Sequence, residues 1–233
     1  MEIEPLVSVV VIAERAQDTI GETLESIFEA NYGHKEVIVV VNDPHDPSVK
    51  VARGFPVKIY NSREDGLRLL GENGRGFGYQ MDLGWRVSQG RFIAYCDSDK
   101  PIEREWFNKM LKPFHNPRVG GVGNVEQTRG KSIIAKPKTG YAWVRYYGSR
   151  LIGKFPWPRF AFRATVWRRE ALEDVDGFDR SDPSASGTVE DVDISSRAIS
   201  RGWALSVSKA ISYHYEDLGL RDKMRRWRRE GKQ

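Results

Sequence analysis

The apolar segments near the start of the chain are too short for packed helices and too continuous for half-exposed strands. Val7-Ser-Val-Val-Val-Ile-Ala13 is β-branched almost throughout, the composition of a strand buried on both faces. Ile20, Leu24, Ile27 and Phe28 then recur at helical spacing, and Asn31 or Gly33 is expected to end that helix. A second buried strand is expected over 36–41, stopped by Asn42-Asp43-Pro44 and an Asp46-Pro47 turn. A short third strand covers 57–60, and glycine-rich, loop-like sequence fills 61–76. Tyr79, Leu83 and Val87 mark a helix that Gly90 closes, and 91–96 makes a fourth strand.

Beyond residue 99 the pattern is less regular. Trp106, Met110 and Leu111 predict a helix before Pro113, with strands at 119–125 and 160–167 and a short helix over 169–175. A helix over 190–201 ends at Gly202, a last strand follows at 203–207, and 217–230 reads as a very basic helix. Alternating strands and helices of these lengths predict an α/β fold with a mainly parallel central sheet flanked by helices. With no internal repeat and no low-complexity linker, one domain over 1–215 and a basic tail over 216–233 are expected. Ligands on such sheets bind at the carboxyl ends of strands, where Asp43, Asp97 and Asp99 would lie.

Composition adds bounds. With 39% apolar and 30% charged residues the chain reads as soluble and globular. The single Cys96 leaves no intrachain disulfide and no multi-cysteine zinc site, which fits a reducing compartment. The start, Met1-Glu-Ile-Glu-Pro5, does not have the pattern of a signal peptide, and no stretch reaches the ~18 apolar residues of a membrane span. A cytoplasmic protein is therefore expected, meeting membranes only from the side. The net charge of +5 is unevenly spread: no Asp or Glu occurs between Gln127 and Arg169, where aromatic residues such as Trp143 and Trp157 interleave with cations. The tail adds Arg225, Arg226, Arg228 and Arg229 around Trp227. Such surfaces suit phosphates or anionic headgroups, and they also occur as plain solvated faces.

Two acidic clusters carry the candidate chemistry. Arg91-Phe-Ile-Ala-Tyr-Cys-Asp97-Ser-Asp99 drives a buried strand into two carboxylates. Such a placement is costly unless a cation or hydrogen-bond donors receive them. Hard cations such as Mg²⁺ or Mn²⁺ bridge carboxylates to substrate phosphates, although Asp-x-Asp is also frequent in turns. The second cluster, Glu190-Asp191-Val-Asp193, opens a helix, where acids are favoured by free amides and the dipole. For Asp193 that helix-start role suffices. The polar segment before Glu190-Asp191 would present that pair at a cleft rim. Dinucleotide and Walker-type sites are not expected: Glu14-Arg-Ala-Gln-Asp-Thr19 after the first strand has no glycine, and Gly74-Arg-Gly76-Phe-Gly78 follows no predicted strand.

In this order the segments resemble the inverting glycosyltransferases of family 2, which have the GT-A fold. The matching pieces are Val7-Ser-Val-Val-Val, Glu36-Val-Ile-Val-Val-Val-Asn-Asp43, Gly90 through Asp99, Arg168-Arg-Glu-Ala-Leu-Glu-Asp-Val-Asp-Gly-Phe178, and Glu190-Asp191 followed by Arg197 and Gly202. The resemblance spans about residues 6–215. It implies a metal-dependent hexosyltransferase moving a sugar from a UDP- or GDP-sugar to a hydroxyl or phosphate acceptor, a glycan or a lipid-linked one, at the cytoplasmic face of a membrane. It implies Mn²⁺ or Mg²⁺ as cofactor, and no nucleic acid as partner.

Residue by residue, the resemblance places Asp43 at the donor base and Arg75 near the nucleotide. Asp99 becomes the direct metal ligand, and Asp97 sits by the ribose or the metal's waters. Glu190 joins the donor-binding set, Asp191 becomes the general base and His214 a late metal ligand. Arg63 and Lys100 are weaker diphosphate candidates, otherwise surface residues. The chain departs from the family where a first strand commonly ends in Pro-x-Tyr-Asn: it has Ile12-Ala-Glu14-Arg15. It also has Asn42-Asp43 for the usual Asp-Asp, and Lys223-Met-Arg-Arg226-Trp227 for the Gln-x-x-Arg-Trp of processive synthases. Two rival readings are a GT-A-like nucleotidyltransferase and a non-catalytic basic module that binds polyanions. The first should carry a glycine- and lysine-rich loop after the first strand, and the second leaves the acidic residues unexplained.

Overall fold

Every residue of β1 (Val7–Ala13) is buried, and because successive side chains face opposite sides, the strand needs cover on both. The computed structural model describes residues 4–72, 74, 76–129, 166–180 and 189–215. On one face Val7, Val9 and Val11 pack with Ile20, Leu24 and Ile27 of α1 (Ile20–Glu29) and with Trp106 and Met110 of a later helix. On the other, Val10 and Ile12 pack with Leu83, Trp85, Leu172 and Ile194. Two apolar layers with a sheet between them follow from that alternation.

The sheet has seven strands in the order β3-β2-β1-β4-β6-β5-β7. They are β1, β2 (Lys35–Val41), β3 (Lys58–Asn61), β4 (Phe92–Asp97), β5 (Val119–Arg129), β6 (Val166–Arg168) and β7 (Ala204–Tyr215). Neighbours are parallel except where β6 pairs with β4 and β5. β6 alone therefore runs against the rest, and the carboxyl ends of β1, β2, β4, β5 and β7 share one edge. The expected mainly parallel α/β architecture is what the chain adopts.

Helices α4 (Phe77–Arg86), α5 (Trp106–Leu111), α6 (Arg169–Asp174) and α7 (Val189–Ser200) form where the sequence predicts them. Two further helices lie where turn and loop were expected. In α2 (Pro47–Ala52) Asp46 caps the Ser48 amide and Pro47 starts the helix. In α3 (Glu64–Leu70) the Asn61 side-chain oxygen accepts from the Glu64 amide at 2.8 Å. Both are set by local side-chain to backbone bonds on segments too short to show a period. The last strand, expected to end at 207, continues to Tyr215 because β5 pairs with it along its length. The predicted strand residues 160–165 and basic helix 217–230 fall outside the described residues. Among the described residues no helix is long and apolar enough to cross a membrane.

One half-buried carboxylate fastens the amino-terminal end of the sheet. Glu36 accepts from Ser8 Oγ and the Gln89 amide, each at 2.6 Å, and from Lys58 Nζ at 2.8 Å. Burial alone would raise its pKa; the bonds from Lys58, Ser8 and Gln89 and the charge of Lys58 outweigh that and hold it below the ordinary carboxylate value. A depressed carboxylate contributes stability above its unfolded pKa and loses it as pH falls through the folded one. Glu36→Gln is therefore expected to cost about 1–3 kcal/mol at neutral pH. In urea unfolding the gap to wild type should close as pH drops below the ordinary glutamate range; a gap constant with pH would contradict this.

Candidate active site

The carboxyl edge collects the acidic residues singled out in the sequence. β4 ends at Asp97, and its neighbour β1 pairs Ile12 with it. Past Ile12 the chain turns sharply: Arg15 adopts a left-handed backbone, φ 49°, with its amide held by Asp46 Oδ2 at 2.8 Å. Asp43 stands just beyond β2 on the far side of β1, with Arg63 Nη1 3.4 Å from its carboxylate. Both side chains are half-exposed, so the pair faces the open edge.

The Asp97-Ser-Asp99 turn is fixed from three sides. The Lys100 amide donates to Asp97 O at 3.2 Å, Thr23 Oγ1 of α1 donates to Ser98 O at 3.1 Å, and the Tyr213 amide of β7 donates to Pro101 O at 2.8 Å. A bridge between Ile102 and Ser212 continues the attachment. The same attachment brings His214 of β7 to Asp99, with Nε2 3.2 Å from Oδ2, while His214 Nδ1 is buried with no partner among the described residues. Burial alone would raise the Asp99 pKa; the His214 hydrogen bond and the charges of Lys100 and His214 lower it below the usual aspartate value. Asp99 is thus kept ionised next to an imidazole.

Asp97 is about as exposed as Asp99, but one of its oxygens is taken. Its Oδ2 lies 2.5 Å from Lys100 Nζ, and that ammonium also lies 3.1 Å from Glu126 Oε2 of β5. Lys100 is only 1% exposed, which corrects its expected place at the surface: a cation fenced by two carboxylates can be buried where a lone one could not. The contact with Glu126 is coulombic rather than a formed hydrogen bond. Glu126 was not singled out from sequence, although Asn124 and Glu126 on one face of β5 gave a signal, polar positions on an interior strand.

The second cluster reaches the edge through α4. That helix follows β3 in the chain and leads back to β4, so its first turn lies at the carboxyl edge, where Gln80 Nε2 donates to Val40 O at 3.4 Å. Gly78 in this turn leaves room for α7: a Cβ there would lie 3.1 Å from Glu190 Cγ and 2.2 Å from Asp179 O. Glu190 is 3% exposed, and neither carboxylate oxygen has a partner among the described residues. Asp191 beside it is also buried, in the first turn of α7. Asp193 instead pairs with Arg197 one turn on, at 2.6 Å, a structural contact different from the helix-start role expected of it, since it lies beyond the first turn. Arg75 lies outside the described residues. Cys96 is no nucleophile, since burial and the nearby Asp97 push its thiol up to about 12.

The family model for glycosyl transferase family 2 matches residues 8–176. The chain belongs to glycosyl transferase family 2. The match takes in β1 through α6 and stops before Glu190 and Asp191. Among family relatives, EpsH of Bacillus subtilis (strain 168), a glycosyltransferase by provisional assignment, is 27% identical over 108 residues, 46% of this chain and 30% of EpsH. The fold is GT-A, shared with solved glycosyltransferases. A mannosyltransferase of Pyrobaculum calidifontis in complex with GDP-Man and Mn²⁺ superposes with a TM-score of 0.70 at 20% identity, over 98% of this chain and 61% of that one. Residues 1–349 of S. aureus TarS in complex with UDP-GlcNAc give 0.65 at 18% identity, over 93% of this chain and 60% of that one. The chain thus spans less than two thirds of each of these proteins.

Proposed function

We propose that this chain is the catalytic domain of an inverting glycosyltransferase that moves a sugar from a nucleotide-diphosphate donor to a hydroxyl or phosphate acceptor. The observation that carries this reading is the ionised Asp99 beside His214, 3.2 Å away, at the carboxyl edge of the sheet. Family membership, and structural neighbours bound to GDP-Man with Mn²⁺ or to UDP-GlcNAc, support it.

The donor set fits a divalent cation. A carboxylate and an imidazole suit Mn²⁺, and carboxylate with phosphate oxygens suits Mg²⁺ as well. Among the described residues no group of three His, Cys, Asp or Glu side chains is gathered. Asp99 and His214 would therefore hold the ion together with the donor's own phosphate oxygens. Such an ion would neutralise charge on the diphosphate as it leaves.

The other groups divide around that centre. Asp43 and Arg63 border the nucleotide, with Arg75 and Glu190 completing the donor side. The Asp191 carboxylate takes the proton of the acceptor hydroxyl as its oxygen bonds to the anomeric carbon. The bond from that carbon to the diphosphate oxygen breaks, and the nucleoside diphosphate leaves with the electron pair. Attack opposite the leaving group inverts the anomeric configuration. The acceptor, a glycan or a lipid-linked molecule, is assigned to the basic aromatic segment over 129–162, with the protein at the cytoplasmic face of a membrane.

A donor screen tests the reading: nucleotide release from UDP- and GDP-sugars with Mn²⁺ or Mg²⁺, with and without polyprenyl phosphate. Metal-dependent release from at least one donor is expected; silence across the panel would end the proposal. In the presence of the nucleotide released, His214→Ala is expected to weaken Mn²⁺ binding by about 10–100-fold. Unchanged Mn²⁺ affinity would remove His214 from the site.

A further inference from the structure

Resting on that reading, we infer that Lys100 is a positioning residue that withholds Asp97 from the divalent cation, so that the cation binds firmly only together with the donor diphosphate. One oxygen of the first carboxylate of the Asp-Ser-Asp turn is committed within the protein, on a side chain that is otherwise half-exposed. Its Oδ2 is 2.5 Å from the ammonium of Lys100, a side chain almost wholly out of solvent. Buried charges are retained where partners compensate them, and here Asp97 and Glu126 do so from two different strands.

The backbone that carries this buried side chain is anchored. The Lys100 amide closes the turn onto Asp97 O, and Ile102 is bridged to Ser212, which pairs with Glu126 across β5 and β7. A cation arriving without nucleotide therefore meets Asp99 and His214, with Asp97 already paired and a fixed positive charge nearby. Like charges close together in a partly buried site repel more strongly than in water. A nucleoside diphosphate changes that balance by bringing oxygen ligands and negative charge of its own. Metal and donor then bind cooperatively, each tightening the other by the same factor.

The test is Mn²⁺ titration followed by electron paramagnetic resonance, without nucleotide and with saturating UDP or GDP. Wild-type protein is expected to bind Mn²⁺ at least about tenfold more tightly with one of the two nucleotides. Lys100→Met keeps most of the side chain's length and removes its charge. It should bind Mn²⁺ without nucleotide about tenfold more tightly than wild type, with weaker coupling to nucleotide. A residue needed only for folding would not produce that gain. Glu126→Gln, which removes the charge of the second carboxylate beside Lys100 and keeps the contact with Asp97, should show no gain, and with the wild-type titration it decides the matter if Lys100→Met does not fold. Equal wild-type affinity with and without nucleotide, a folded Lys100→Met with no gain, or a gain in Glu126→Gln would each overturn the inference while leaving the donor site in place. No Mn²⁺ binding with either nucleotide would overturn both.

Discussion

Asp191→Asn is expected to lower sugar transfer by about 10²–10⁴-fold, the range a positioned general base contributes, while donor affinity stays near the wild-type value. The amide matches the carboxylate in shape but cannot take a proton from the acceptor hydroxyl. Asp191 is buried in the first turn of α7, beside a glutamate whose two oxygens have no partner among the described residues. Such a carboxylate pair is costly in a core and cheap at a helix start that meets a polar ligand. With the donor assigned to Asp43, Arg63, Arg75 and Glu190 rather than to Asp191, the loss should appear in kcat with nucleotide affinity unaffected. Near-normal transfer by this variant would remove Asp191 from the reaction.

Asp82→Ala is expected to destabilise the protein by about 3–5 kcal/mol, the cost of removing one partner from a buried charged network. Asp82 is fully buried and accepts from Trp85 Nε1 at 2.7 Å, Arg86 Nε at 2.8 Å and the Phe178 amide at 3.1 Å. Arg180 Nε lies 3.5 Å away. The carboxylate thereby ties α4 to the segment after α6 that leads toward Glu190 and Asp191. Gly177 shows how closely the two approach: its φ is +69°, and a Cβ there would lie 2.1 Å from Asp82 Oδ1. For a chain of this size the loss corresponds to a drop in Tm of about 10 °C. A Tm within a degree or so of wild type, by differential scanning calorimetry, would contradict this account of the network.

The parts of the fold that were legible in the sequence are those where burial dictates composition. β1, β2 and β4 read directly because strands covered on both faces need unbroken apolar runs. α1 and α4 read from their apolar spacing and α7 from its acidic start and closing glycine. α2 and α3 did not, because Asp46 and Asn61 set them through single bonds to nearby amides. β7 was read too short since its later part, Ile211-Ser-Tyr-His-Tyr215, is held by pairing with β5 beyond an irregularity at 208–210, and its sequence shows no apolar run. At the candidate site, Asp97, Asp99 and His214 were singled out from spacing and resemblance, and the edge they share follows from strand direction. The burial of Lys100 was not legible. A lysine after an acidic turn looks solvent-exposed until Glu126, 26 positions along the chain, is known to stand against it.

The most direct test of the site is diffraction at the manganese absorption edge from crystals soaked with Mn²⁺ and UDP or GDP. A single anomalous peak touching Asp99, His214 and the diphosphate, at the carboxyl edge of β4, is the result predicted. Manganese remote from both side chains, or nucleotide bound at the opposite edge of the sheet, would contradict the account.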